Sequence, residues 1–186
     1  MIGKIAYVKN ARKIALTANL TATAVALRFI KHGLMGPLQF INIPGIFALT
    51  AGTLLGPLTG FIVGVLIFLT SDFFLGFGPW SIVTSSMCGV IGGIAGLLWR
   101  KRATSRMEVL IISFILFLIY DVSTSFLLYI PLMSPMEALI MGIIGLFTPV
   151  MGGGLYAVGP ITELSSSIVS SILIGKIRGG EIFVKE

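Results

Sequence analysis

Charge is what this sequence has least of. Of its 186 residues only 11% are Asp, Glu, Lys or Arg, less than half the roughly 25% of an ordinary soluble domain. There is one Cys and one His. The lone thiol, Cys88, excludes an internal disulfide, and its apolar surroundings read as core filling. No His, Cys and carboxylate set stands at metal-ligand spacing, and there is no Gly-rich phosphate loop or Walker motif. No metal or other cofactor is therefore expected, and the chain offers no means of hydrolysing a nucleotide itself. What the sequence has instead is apolar surface: 56% hydrophobic residues, with 23 glycines set among long apolar runs, and a mean hydropathy of +1.05. Glycine inside apolar runs is common in membrane helices. A soluble enzyme and a nucleic-acid binder are excluded, the net charge of +6 notwithstanding. The expectation is an all-α, multi-pass protein of the cell (plasma) membrane, a single membrane domain over residues 1–186. Thr17, Asn19, Thr21 and Thr23 dilute the first apolar stretch and no soluble domain follows it, so a cleaved signal peptide is not expected.

A bilayer core of about 30 Å takes about 20 helical residues. On that measure the chain is expected to cross at about 14–30, 40–55, 58–75, 80–99, 109–130 and 156–174. The second span is short and opens with Pro44. The apolar stretch 136–174 is too long for one helix, and Pro149, Gly152–Gly154 and Pro160 interrupt it. The part at about 136–154 is expected to be a broken or re-entrant segment, tolerated at membrane depth only where protein or a water-filled cavity covers it. Basic residues cluster at Lys4, Lys9, Arg12 and Lys13, at Arg100, Lys101, Arg102 and Arg106, and at Lys176, Arg178 and Lys185. The positive-inside rule places all three clusters in the cytoplasm, with both termini, and so requires an even number of crossings; six transmembrane helices satisfy it.

Two patterns within the spans carry functional information. Ala18, Ala22 and Ala26 recur every four residues, so they stack on one helix face and allow close approach of another backbone, either a neighbouring helix of this chain or a separate subunit. Polar groups, meanwhile, converge on the outer leaflet: Arg28, Lys31 and His32 at the end of span one, Gln39 and Asn42 beyond it, Asp72 and Trp80 at the turn between spans three and four, Tyr129 and the deeper Tyr120 and Asp121 in span five, and Glu163 in the last span. Ionisable groups at such depth pair with one another or line a cavity. Singly each has a plain reading: Arg28 paired with Asp72, Trp80 and Tyr129 in an aromatic belt, His32 in water. An Asp72–Asp121 carboxylate dyad is conceivable, though no flanking signature supports an enzyme. As a group these residues point to a pocket open to the outside.

The run Gly56-Pro57-Leu58-Thr59-Gly60-Phe61-Ile62-Val63-Gly64, then Ser71-Asp72-Phe73-Phe74-Leu75-Gly76-Phe77-Gly78-Pro79-Trp80 and the glycine-rich Cys88–Leu98, resembles the central segment of substrate-binding S components of energy-coupling factor (ECF) transporters. The alanine series and Leu27-Arg28-Phe29 resemble the first helix of that family; the likeness covers about 15–100 well and the fifth span loosely. It implies a small six-helix protein that captures a vitamin, vitamin precursor or metal outside and docks, through the alanine face, on a transmembrane coupling subunit carrying two cytoplasmic ATPase subunits. Carried over, Ala18, Ala22 and Ala26 become the docking face and the Lys31–Asn42 loop a lid. Phe77-Gly78-Pro79-Trp80 looks most like a subgroup linked to cobalamin precursors, and the absence of an N-terminal metal-binding His favours an organic micronutrient. The stretch 149–163 departs from the family pattern. The expected pocket stacks its ligand on Trp80, with polar contacts from Arg28, Gln39, Asn42, Asp72, Tyr120, Asp121, Tyr129 and Glu163. The competing readings are a self-sufficient carrier coupled to ions through Asp72, Asp121 or Glu163, and a membrane scaffold that binds no ligand.

Overall fold

The computed structural model of the protein describes residues 2–35, 40–102, 104–147 and 158–179. These form α-helices α1 (Ile2–Met35), α2 (Ile43–Leu55), α3 (Pro57–Leu75), α4 (Pro79–Trp99), α5 (Arg106–Tyr129), α6 (Pro135–Gly145) and α7 (Val158–Gly179), and no strand occurs among the described residues. Four are long and apolar enough to cross a membrane, α1 from Asn10 to Leu34 and all of α3, α4 and α5; α2 and α6 are shorter apolar helices.

Local chemistry sets the helix ends. The Asn42 side chain caps α2 by accepting a hydrogen bond from Gly45 N–H at 2.9 Å, with Pro44 in the first turn where its missing N–H costs nothing. Gly56 ends α2 and starts α3 at φ 107°, a conformation open to glycine, and Pro57 then fixes the first turn of α3. Ser105 caps α5 through Glu108 N–H at 3.1 Å. Ser134 and Glu137 cap α6 reciprocally, the arrangement expected of Ser-Pro-Met-Glu ahead of an apolar run.

Helices α2, α3 and α4 pack backbone to backbone, and this accounts for the glycines at 52, 60, 64, 92 and 96. A methyl group on Gly60 would strike the Gly92 carbonyl; one on Gly92 would lie 2.5 Å from the Gly60 carbonyl oxygen, and one on Gly96 2.5 Å from Pro57 Cα. Small residues at helix crossings let dispersion contacts replace the hydrophobic drive that lipid cannot supply. Behind this contact Leu49, Ile91, Trp99, Phe117 and Ile174 form the main core, uniting α2, α4, α5 and α7. α1 joins through a smaller cluster, Ala24 and Val25 against Ala51, Val63 and Ile67. Leu58, Phe73, Phe74, Leu97 and many other large apolar side chains face outward, as a lipid-facing surface requires.

The basic clusters meet at one end of the bundle. Arg178 donates to the carbonyls of Arg102, at 2.8 Å, and Trp99, and to Thr104 Oγ1 at 3.0 Å. The Arg100 guanidinium lies against Gly56, and Lys13 shares a groove with Leu58 and Thr59. Lys13 of α1, the α2–α3 turn, the α4–α5 connection and the end of α7 are therefore neighbours at this basic end.

Helix bounds differ from expectation at three places. α1 is helical well beyond 14–30, from Ile2 to Met35, because no strong breaker precedes Gly36-Pro37; the expected Lys31–Asn42 loop is thus helix up to Met35, and residues 36–39, Gln39 included, lie outside the described residues. The expected broken segment contains α6, which at 11 residues is too short to cross and lays Ala138 and Gly142 in the interior, Gly142 beside the Val122 carbonyl of α5. Pro160 does not interrupt a helix: it sits in the first turn of α7, where proline is tolerated. Pro149 and Gly152–Gly154 lie outside the described residues.

Candidate functional site

The other end of the bundle holds the charged groups that the interior retains. Arg28, near the end of α1, pairs with Asp72 of α3 at 2.5 Å and also donates to Ser71 of the same helix. Its guanidinium lies over the Phe68 ring, 4.5 Å from the centroid, a cation–π contact that a half-desolvated cation favours. Phe68 and Asp72 stand four residues apart, on one face of α3, and Phe68 continues into a stacked contact with Tyr120 of α5, 6.5 Å between centroids. Asp72 is only 3% exposed, and its second carboxylate oxygen finds no hydrogen-bond partner among the described residues.

Beside Tyr120, Asp121 of α5 lies close to Glu163 of α7. Glu163 is 1% exposed and neither of its oxygens has a donor among the described residues. α7 is held to the start of α2 by its serines: Ser166 Oγ accepts from Asn42 N–H at 2.7 Å and donates to the Thr162 carbonyl at 2.5 Å, while Ser165 donates to the Phe40 carbonyl. A buried polar seam therefore runs across this end, from Arg28 through Asp72, Phe68 and Tyr120 to Asp121 and Glu163, with Asn42 and Ser166 along its α2–α7 edge.

Arg28, Asp72, Tyr120, Asp121, Glu163 and Asn42 are thus brought into one region. The suggested Arg28–Asp72 pairing is present. The carboxyl pair is Asp121 with Glu163, not Asp72 with Asp121, because Arg28 already engages Asp72. Trp80 stands at the start of α4, 51% exposed, its indole against Gly78; the ring under the guanidinium is Phe68. Tyr129 ends α5 half-buried and His32 is exposed. Sequence reasoning missed Phe68, Ser71 and Ser166. The four-residue step from Phe68 to Asp72 was available as a signal; the Ser165–Ser167 run on an apolar helix was another.

On the flank of α1, Ala18, Ala22 and Ala26 are exposed. They line an open groove between α1 and α3, about 820 Å³ in volume, with Val25, Phe29, Ile62 and Leu66.

A multi-pass membrane protein with a buried polar seam at one end and small residues exposed along a flank fits the class of membrane-embedded subunits that bind a solute. Residues 8–173 match the sequence profile of the family described as ECF-type riboflavin transporter, S component. The chain belongs to that family, and with it to the membrane-embedded vitamin-capture subunits of ECF transporters. The family is the one resembled by the glycine-rich centre of the sequence, but its substrate name is riboflavin, not the cobalamin precursor suggested by Phe77–Trp80. No curated protein and no solved structure matches the chain.

Proposed function

We propose that this chain is the riboflavin-capture subunit of an ECF importer, binding its ligand outside at the seam between Arg28 and Glu163 and docking through α1 onto a coupling subunit driven by two ATPases. The family match over residues 8–173 carries this reading. The seam supports it: a solute pocket is mostly apolar with a few placed polar groups, and here the polar groups gather at one end, away from the basic clusters. The gathering of the basic residues supports a six-crossing topology, α1, α2, α3, α4, α5 and α7 in alternating directions, with the basic end in the cytoplasm. In this topology α6 is a re-entrant piece on the outer side. Trp80 and Tyr129 belong to the rim of the site.

Docking at Ala18, Ala22 and Ala26 is supported by their exposure. A row of small side chains facing lipid gains nothing from lipid, whereas a partner helix can approach it closely. Uptake into vesicles decides between this and an ion-coupled carrier. Riboflavin accumulation is expected only when the chain is reconstituted with coupling and ATPase subunits and ATP. Accumulation by the chain alone, driven by a proton or sodium gradient, would overturn the proposal.

A further inference from the structure

We infer that the inner half of the α1–α3 groove holds an acyl chain of an anionic phospholipid, with the headgroup phosphate at the end marked by Lys13 and Arg100. The inference goes beyond solute capture: it concerns a lipid on a different face of the bundle, and rests only on the topology that puts the basic end in the cytoplasm.

The groove is where the outer surface is hollow. It follows α1 from Lys13 to Phe29, about 24 Å at the helical rise per residue, and encloses about 820 Å³. Its walls are apolar, with Ile14, Ala18 and Ala22 of α1 facing Leu58, Ile62 and Leu66 of α3. The two alanines carry one methyl each, so the protein itself leaves the cleft unfilled. A gap with no atoms on one side forfeits dispersion contacts, and in a bilayer an acyl chain supplies them. One leaflet contributes about 15 Å, half of the hydrocarbon core, so a chain descending from the inner leaflet reaches from Lys13 to about Ala22. The alanine methyls give that chain little hold and it yields to a partner helix. Preference for one lipid over another therefore comes from the headgroup.

Charge at the inner mouth of the groove supplies that preference. Lys13 lines the groove itself, and the Arg100 guanidinium lies against Gly56, just ahead of Pro57 and Leu58. Neither cation has an ion-pair partner among the described residues. Glu108 is the one described acid at this end, and Arg102 engages it at 3.2 Å. Asp72, Asp121 and Glu163 lie in the seam at the far end, and Glu137 caps α6. Other cations here are placed elsewhere: Arg178 donates to the Trp99 and Arg102 carbonyls and to Thr104, and the Arg106 side chain lies against Gly175 of α7. Two unmatched cations, from α1 and the end of α4, thus mark the mouth of an apolar cleft wide enough for an acyl chain. A phosphodiester with net negative charge complements them. A phosphocholine brings its own cation to the same place and gains less.

The test is native mass spectrometry of the full chain in mild detergent, supplied with equal amounts of phosphatidylglycerol and phosphatidylcholine of matched acyl chains. Wild type is expected to retain one phosphatidylglycerol per chain with a preference of about 25-fold, about fivefold for each of two cations near a membrane surface. Lys13→Gln is expected to lower the preference to about fivefold, and Lys13→Gln with Arg100→Gln to less than twofold. Lys176→Gln, which removes a cation of the same end on α7, should leave it unchanged. Ala18→Trp fills the inner half of the cleft and is expected to lose the retained lipid; should it not fold, the charge variants carry the test. Glycerol phosphate, the headgroup chemistry without chains, is expected not to displace the lipid. A wild type that retains no lipid or both lipids equally, an equal loss of preference in Lys176→Gln and Lys13→Gln, or displacement by glycerol phosphate would overturn the inference. Each of these outcomes leaves the flavin-capture reading standing.

Discussion

At the scale of single residues, the Arg28–Asp72 pair decides how this end of the bundle is balanced. Asp72 is buried and has one oxygen without a partner among the described residues even with Arg28 in place. Removing the cation alone strands the carboxylate, and losing one member of a buried pair costs about 3–5 kcal/mol. Arg28→Ala is therefore expected to lower thermal stability in detergent sharply. The joint replacement Arg28→Met with Asp72→Leu should recover most of that loss, because well-packed apolar residues often match a buried pair in stability. If the double variant were no more stable than Arg28→Ala, the pair would not be the source of the effect. This pairing was legible in the sequence, since Arg28 is the one cation within the expected first span, 14–30, and Asp72 the one carboxylate within the third, 58–75. The closeness of Asp121 and Glu163 was not: it depends on how α5 and α7 rotate against each other, and two acids give no charge complementarity to guide the eye.

Individual helices show where sequence pattern translates directly into structure. α3, α4 and α5 begin and end within a few residues of the expected spans because Gly-Pro steps, a serine cap and the lengths of the apolar runs act locally. α1 and α6 depart from expectation for a physical reason: helix continuation in polar sequence and a short helix resting on α5 are decided by the absence of breakers and by tertiary contact, not by hydropathy. The α3–α4 crossing offers an internally controlled measurement. Gly92 meets the Gly60 carbonyl, whereas a methyl on the adjacent Gly93 would find its nearest neighbour at an ordinary 3.6 Å. Gly92→Ala is expected to cost about 1–3 kcal/mol through overpacking. Gly93→Ala should be neutral or slightly stabilising, since alanine is the better helix former. Equal unfolding temperatures for the two variants would show that the backbones do not approach as closely as described. The α2 cap is a smaller matter: Asn42→Ala should cost about 1 kcal/mol, because Gly45 N–H loses its acceptor. The bond from Asn42 N–H to Ser166 is made by backbone and would persist.

For the molecule as a whole, the proposed ligand site and the proposed docking face lie in different places: the seam at one end, and the alanine row along the flank of α1. Their separation has a direct consequence. Ala22→Trp fills the groove between α1 and α3 without touching Arg28 or Glu163, so it is expected to abolish ATP-driven uptake while riboflavin affinity changes less than twofold. Loss of both together would mean that the groove supports the pocket itself. The alanine spacing, the position of the seam and the clustering of basic residues were all legible before any coordinates, because each is a periodicity or a charge count. The identity of the ring beneath Arg28 was not, since Phe68 is one of 13 phenylalanines and only helix packing singles it out. The central claim, that this chain by itself captures riboflavin, is tested most directly by native mass spectrometry of the protein expressed alone, purified in mild detergent and supplied with riboflavin. One riboflavin retained per chain, and lost in Arg28→Ala, is the predicted result; a chain that stays empty at saturating riboflavin would contradict it.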